Sequence, residues 1–270
     1  MLQRVVVELA NVQSPTIVLT TEQQHYLTRV LRLNVGDRWI AMDGRGQSWL
    51  VALTPDSHAQ IIEPIQHQTE LPLAVTLVVA LPKGNAFDEV ARQATELGVS
   101  QIIPVISDRT LLHPSGQKLE RWRRIMQEAA EQSERQIVPT LTDPISFQQH
   151  LQQINPISQA YLCTPRYAAP HLLACLAQFP PEMDWQHVSP DTSRFDSPTP
   201  SSIPTLSLAI GPEGGWTEAE IAQAIAAGYQ LVSLGDRILR AVTAPIVALS
   251  LIAAVCEQGI LDPEISKQGK

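Results

Sequence analysis

Apolar and polar residues alternate with period two over Arg38–Met42 and Ser48–Leu53, flanked by the turn signals Val35-Gly-Asp37 and Asp43-Gly44. That pattern predicts short strands and a small β-rich domain over residues 1–70. Glu63–Pro72, polar with two prolines, reads as a linker, and beyond it the periodicity changes. Val75–Leu81 is a continuous apolar strand. Phe87, Val90, Ala91, Ala94 and Leu97 then recur at helical spacing, with Asn85 as the N-cap and Gly98 as the stop. A strand at Gln101–Ile106 leads to an amphipathic helix over Lys118–Gln132, with Leu119, Trp122, Ile125, Met126 and Ala129 inward. Residues 178–204 are rich in Pro, Ser and Asp and lack periodicity, which predicts an exposed insertion. After them come a strand at Leu206–Ile210, a helix from Glu218 to Ala227 stopped by Gly228, a strand at Leu231–Leu234 and an apolar helix from near Thr243. Residues 73–262 therefore read as an α/β domain with a mainly parallel sheet.

Two glycine-marked loops end strands in that pattern: Ile210-Gly-Pro-Glu-Gly-Gly-Trp216 and Leu234-Gly-Asp-Arg-Ile-Leu-Arg240. Ligands in open α/β sheets bind beyond the carboxyl ends of strands, so the pair predicts one shared pocket. The first loop runs into Thr217-Glu-Ala-Glu220, a capping-box signature that makes the order strand, loop, helix. By itself GPEGG reads equally well as a tight turn; it is neither a dinucleotide fingerprint nor a phosphate loop. In the second loop Leu234, Ile238 and Leu239 suit an apolar slot for a flat ring, or ordinary core packing. Arg237 and Arg240 suit an anion or, as readily, a solvated surface; Arg240, nearest the next helix, is the stronger candidate.

The chain has 270 residues, 44% hydrophobic, enough for one large or two ordinary domains, and a formal net charge of −8. Such a charge is a poor footprint for bulk electrostatic binding of nucleic acid, so any RNA contact must be local. Cys163, Cys175 and Cys256 lack CxxC spacing, which predicts neither a disulfide framework nor a structural zinc site and fits a reducing cytoplasm. The N-terminal residues lack a signal-peptide pattern, and Ala244–Cys256 is too short to span a bilayer, so no membrane role is predicted. His25–Leu33 reads as a helix that turns Tyr26, Leu27, Val30, Leu31 and Leu33 largely inward and leaves Arg29 and Arg32 outward. Two phosphate contacts or a plain solvated face both fit that pair. Arg121, Arg123 and Arg124 cluster around Trp122 but are nearly balanced by Glu120, Glu128 and Glu131. No catalytic elbow, paired-histidine metal spacing or other covalent constellation is present.

The ordered set HYLTRVLRLNVGD, ALPKGNAFDEVARQATELGVSQIIPVIS, ERWRRIMQEAAEQSER, IGPEGGWTEAE and GYQLVSLGDRILR resembles the RsmE family of small-subunit ribosomal RNA methyltransferases over nearly the whole chain. The resemblance implies a SPOUT-superfamily α/β domain whose trefoil knot holds S-adenosylmethionine, and an N-terminal PUA-like β-barrel for RNA. It further implies methylation of N3 of one uridine near the 3′ end of 16S rRNA within the 30S subunit, by a homodimer that needs no metal. Carried over by position, it implies cofactor contacts from Leu81, Gly211, Pro212, Glu213, Gly214, Gly215, Leu234, Gly235, Ile238, Leu239 and Arg240. It implies RNA contacts from Arg29, Arg32 and Lys83, and a catalytic role for Arg240. The chain departs from the family at Val242, where a carboxylate is common, and at Glu134, where glycine is usual.

Overall fold

The computed structural model describes residues 2–66, 69–154, 159–165, 167–178 and 204–257. The expected insertion at 178–204 lies, apart from its end residues, outside them. Two compact units emerge, each with its own sheet: the described residues up to Glu70 together with Gln127–Val138, and the remainder.

In the first unit six strands, β1 (Arg4–Val6), β2 (Val12–Gln13), β3 (Thr16–Val18), β4 (Arg38–Met42), β5 (Ser48–Leu53) and β6 (His58–Pro64), lie in the order β1-β4-β5-β6-β3-β2. Only β1 and β4 run parallel. The two strands legible from alternation match β4 and β5 residue for residue, and Trp39, Ala41, Val51 and Leu53 point into the unit's core. β6 runs on to Pro64, into the stretch expected as a linker.

Where one helix was expected over His25–Leu33, a capping box at Thr20 and Gln23 starts the short helix α1 (Thr21–His25), and a π turn over Tyr26–Val30 follows it. Leu31 N donates to Tyr26 O, five residues back, and Arg32 takes a left-handed φ of 58°. The wider turn changes the phase of the side chains. Leu27 is buried, but Tyr26 and Val30 are 40% and 57% exposed, so the expected inward face is corrected at both. Arg29 and Arg32 are both exposed but do not share a helical face, because Arg32 lies beyond the last helical residue.

Glu134 takes a φ of +64°, the left-handed region that favours glycine, and its carboxylate accepts from Arg4 Nη2 at 2.8 Å. The glycine usual at this position is thus a backbone requirement, met here by a side chain held in an ion pair.

The second unit holds seven strands, every pairing parallel. In chain order its elements are β7 (Ala74–Ala80), α2 (Ala86–Glu96), β8 (Gln101–Ile106), α3 (Gly116–Gln132, of which the residues up to Met126 belong to this unit), β9 (Thr140–Leu141), β10 (Ile145–Ser146), α4 (Phe147–Gln152), β11 (Gln159–Cys163), α5 (Leu172–Leu176), β12 (Thr205–Ile210), α6 (Glu218–Ala226), β13 (Gln230–Val232) and α7 (Thr243–Glu257). The sheet runs β10-β8-β7-β12-β11-β13, with β9 on β8. Alternate residues of one strand serve opposite faces: Val75, Leu77 and Val79 pack with α2, α3, α5 and α7, while Val78 and Ala80 pack with α4 and α6. A sheet covered on both faces explains the continuous apolar runs.

Asn85 precedes α2 but its side chain makes no capping bond, which corrects that expectation; its backbone carbonyl instead accepts from Asp88 N. Asp88 is buried, and its carboxylate accepts from Trp122 Nε1 at 2.9 Å and from Arg121 Nη2 at 2.9 Å. Arg121 is therefore neutralised within the unit.

Candidate functional site

The two glycine loops follow β12 and β13, which are successive in the chain but not adjacent in the sheet. β11 lies between them, with Cys163 level with Ile210 on one side and Val232 on the other. Three strand ends therefore converge, and a cavity of about 570 Å³ opens beyond them. Small-molecule sites of about 300–1,000 Å³ are usual, and this position is where α/β sheets bind ligands.

The first loop closes as a turn in which Gly215 N donates to Pro212 O at 2.8 Å, with Gly215 at a φ of +70°. Glu213 reaches out of it: its Oε1 accepts from Lys83 N at 3.0 Å, tying this loop to the one after β7. Arg109, in the loop after β8, donates from Nη1 to Gly214 O at 2.6 Å. Gly211 and Gly214 are needed for space. A Cβ on Gly211 would lie 3.0 Å from Trp216 Nε1, and one on Gly214 would lie 3.0 Å from Arg109 Cδ.

The helix that follows is started by the capping box read from the sequence. Thr217 Oγ1 accepts from Glu220 N at 3.2 Å, and Glu220 Oε2 accepts from Thr217 N at 2.8 Å. Glu220 is buried, and its second oxygen accepts from Asp108 N at 2.9 Å. Trp216, 7% exposed, stacks on Phe147 with ring centroids 4.3 Å apart, which anchors the far end of the loop in the core.

In the second loop Ser233 Oγ accepts from Gly235 N at 3.1 Å, and Gly235 holds a φ of +113°. Arg240 O accepts from Thr243 N and Ala244 N, both at 2.9 Å, so the loop feeds directly into the first turn of α7. Between these points Leu234, Ile238 and Leu239 form an apolar wall with Val242. Ile238 is 71% exposed at the rim.

Ten of the eleven residues expected at the cofactor lie on the cavity wall: Gly211 to Gly215, Leu234, Gly235 and Ile238 to Arg240. Leu81 does not. It continues the row of Val75, Leu77 and Val79 into the core cluster, where its side chain is buried. Lys83 is exposed and approaches the site through its backbone N–H rather than as part of the wall.

Sequence reasoning missed Arg109 and the end of β11, where Cys163, Thr164, Pro165 and Tyr167 line the cavity. A buried five-residue strand closed by Thr164-Pro165 was the available signal for β11. Burial pushes the Cys163 thiol up to about 12, so it stays protonated at neutral pH.

Among the described residues the wall carries three arginines, Arg109, Arg237 and Arg240, against one carboxylate, Glu213. In a chain of net charge −8 that is a local reversal of sign. Among the described residues no group of His, Cys, Asp and Glu is arranged to hold a metal ion, and no helix is long and apolar enough to cross a membrane.

A strand-end cavity with glycine-cleared loops and a cationic rim agrees with the family comparison: an RNA methyltransferase domain matches residues 69–253, and an RNA methyltransferase PUA domain matches residues 19–63. The chain is 47% identical to the ribosomal RNA small subunit methyltransferase E of Synechocystis, over 95% of this chain and 79% of that one. It is 33% identical to the Bacillus subtilis protein of the same name, over 93% of this chain and 96% of that one. Among solved structures, the ribosomal RNA small subunit methyltransferase E of Neisseria gonorrhoeae bound to S-adenosyl methionine superposes with a TM-score of 0.77 at 28% identity. The match covers 94% of this chain and 98% of that one. The chain belongs to the ribosomal RNA small subunit methyltransferase E family.

Proposed function

We propose that this protein transfers a methyl group from S-adenosylmethionine to N3 of one uridine near the 3′ end of 16S rRNA, acting on the 30S subunit. The observation that carries the reading is the cavity at the ends of β11, β12 and β13, walled by GPEGG and by Leu234–Arg240. Its residues fit the cofactor: Gly211 and Gly214 clear space that a Cβ would fill, and Leu234, Ile238 and Leu239 give an apolar face for a flat ring. When bound, S-adenosylmethionine supplies an electrophilic methyl group.

The chain's own residues bind and orient. Glu213 fixes the first loop through Lys83 N, and Ser233 fixes the second through Gly235 N, so the cavity is formed in advance and less ordering is needed on binding. Uridine N3 becomes a good nucleophile when it gives up its proton. We assign to Arg240 the stabilisation of negative charge on the base, or its orientation, at that moment. With Val242 where the family commonly carries a carboxylate, this cationic term gains weight.

We extend the reading to the finer features of the family. The strand order β7-β12-β11-β13 supports a trefoil-knotted cofactor domain over residues 73–262, and the sheet of the first unit supports a PUA-like barrel over residues 1–70. Exposed Arg29 and Arg32 of the first unit, and Lys83 of the second, are candidate rRNA contacts. A metal-independent homodimer working in the cytoplasm completes the proposal.

Mapping the methylated nucleotide on 30S particles treated with the protein and labelled cofactor tests the reaction. Methylation at a ribose 2′-hydroxyl or a guanine would overturn the assignment to uridine N3. For the role of Arg240, Arg240→Ala in single turnover at saturating cofactor should be slowed at least tenfold; an unchanged rate removes Arg240 from the chemistry.

A further inference from the structure

Among the described residues, Arg109 is the one arginine on the cavity wall that comes from outside the two glycine loops. It projects from a turn fixed on both sides. Thr110 N donates to Ser107 O at 3.0 Å, Ser107 N donates to Thr110 Oγ1 at 3.1 Å, and the two hydroxyls lie 2.8 Å apart. Ser107 and Thr110 are buried, whereas Asp108 and Arg109 between them are exposed. Asp108 is held in turn, its N–H donating to Glu220 Oε1 and its carboxylate accepting from Thr217 Oγ1 at 3.1 Å. An exposed side chain on so constrained a turn has little freedom of origin, which suits a positioned contact rather than a solvated tether.

Gly214 gives an independent sign. It is not among the glycines with positive φ, so the backbone conformation does not call for glycine there. Its bare Cα makes room for the Arg109 stem, whose Cδ and Cβ would lie 3.0 and 3.5 Å from an added Cβ. One guanidinium nitrogen is used, on Gly214 O. Guanidinium carries five N–H groups, and among the described residues Arg109 makes no ion pair. The carboxylates of Asp108, its chain neighbour, and of Glu213 accept instead from Thr217 Oγ1 and Lys83 N.

We propose that Arg109 is an rRNA phosphate contact joined to the cofactor loop: one edge of its guanidinium holds Gly214 O, and the free edge binds a backbone phosphate beside the target nucleotide. This rests on the reading of the protein as an rRNA methyltransferase. Arginine suits the task because its planar fork matches a phosphate while a further N–H stays on the carbonyl. The pairing makes the shape of the GPEGG loop depend on the residue that grips RNA.

The test uses the full chain as wild type, Arg109→Gln and Arg109→Lys. S-adenosylmethionine affinity is measured by calorimetry, and affinity for unmodified 30S subunits is measured from 50 to 200 mM KCl at constant magnesium. At the lowest salt Arg109→Gln should bind 30S roughly threefold to tenfold more weakly, and the slope of log K against log salt should fall by about 0.7–0.9. The deficit should then narrow roughly 2.5-fold to 3.5-fold over the fourfold rise in salt. Arg109→Lys should keep the wild-type slope with reduced affinity. An unchanged slope in Arg109→Gln, with only cofactor affinity altered, would overturn the proposal and leave Arg109 a loop anchor. Should Arg109→Gln fail to fold, the wild-type protein decides. Phenylglyoxal modification of Arg109, read by mass spectrometry, should be suppressed by 30S, and an unprotected Arg109 sinks the idea. Wild type that binds neither 30S nor S-adenosylmethionine would instead remove the methyltransferase reading beneath it.

Discussion

Replacing each of three glycines in the first loop by alanine separates steric from conformational demands. At Gly211 the added Cβ would meet Trp216 Nε1, Cε2 and Cδ1 at 3.0, 3.1 and 3.2 Å, all tighter than ordinary contact. The indole cannot yield easily, being buried and stacked on Phe147. Overpacking of this kind costs about 1–3 kcal/mol, and the smaller conformational freedom of unfolded alanine returns about 0.4–1 kcal/mol. A net loss of about 1.5 kcal/mol should lower Tm by roughly 3–6 °C in a chain of this size. Because the loop backbone is the other thing able to move, Gly211→Ala should also weaken S-adenosylmethionine binding.

At Gly214 the obstacle is the stem of exposed Arg109, which can swing aside, so Gly214→Ala should leave Tm within about 2 °C of wild type. Gly215 has open space around it but a φ of +70°, so Gly215→Ala should cost about 1 kcal/mol of backbone strain and roughly 2–4 °C. Scanning calorimetry and cofactor titration on the three variants check the order. A Gly211→Ala protein that melts with Gly214→Ala and binds cofactor like wild type would refute the claim that the Trp216 edge occupies that space.

Other outcomes follow from single contacts. His150 is buried, with Nε2 2.7 Å from Tyr229 OH, and burial lowers its pKa from 6.5 to about 4. The unfolded chain therefore takes up this proton first, and stability present above pH 6.5 should be lost as pH falls towards 4, by up to about 3 kcal/mol. Urea titrations of wild type and His150→Phe should show the variant with the flatter pH dependence; parallel curves would count against it. Glu134→Gly should be nearly neutral, because relief of about 1 kcal/mol of left-handed strain offsets the lost ion pair to Arg4, whereas Glu134→Ala should be destabilising by about 1–2 kcal/mol in chemical denaturation. Burial pushes the Cys163 and Cys256 thiols up to about 12, with Glu257 adding to the shift at Cys256. In native protein at pH 8 both should react with iodoacetamide far more slowly than in urea, by peptide mass spectrometry.

Elements set by long, unbroken periodicity were legible in the sequence. β8 and β12 are apolar runs, α2 and α6 carry their stops, and the Thr217 box formed as read. Short elements were not. β1 to β3 have at most three residues each, β1 and β3 being held by the distant strands β4 and β6 and β2 by its neighbour β3, and β9 and β10 have two apiece. The π turn at Tyr26–Val30 hides in a sequence whose apolar spacing fits an ordinary helix. In the site, the glycine loops announced themselves because glycine marks backbone demands locally. Arg109 did not, because its place depends on Gly214, 105 residues away in the chain. Nor could local pattern show that β11 would lie between β12 and β13.

The capping box at the start of α6 is selective at its last position. In most helices either glutamate or glutamine serves at its last position, since one carboxamide oxygen suffices. Glu220 has both oxygens committed to backbone N–H groups, Thr217 N on one side and Asp108 N on the other. A glutamine here would turn its NH2 against one of those donors, so a swap that is silent elsewhere becomes a buried mismatch. The usual two-letter alphabet of the motif shrinks to one, and an exchange that substitution tables score as mild should register at the mouth of the cavity, through the turn that carries Arg109.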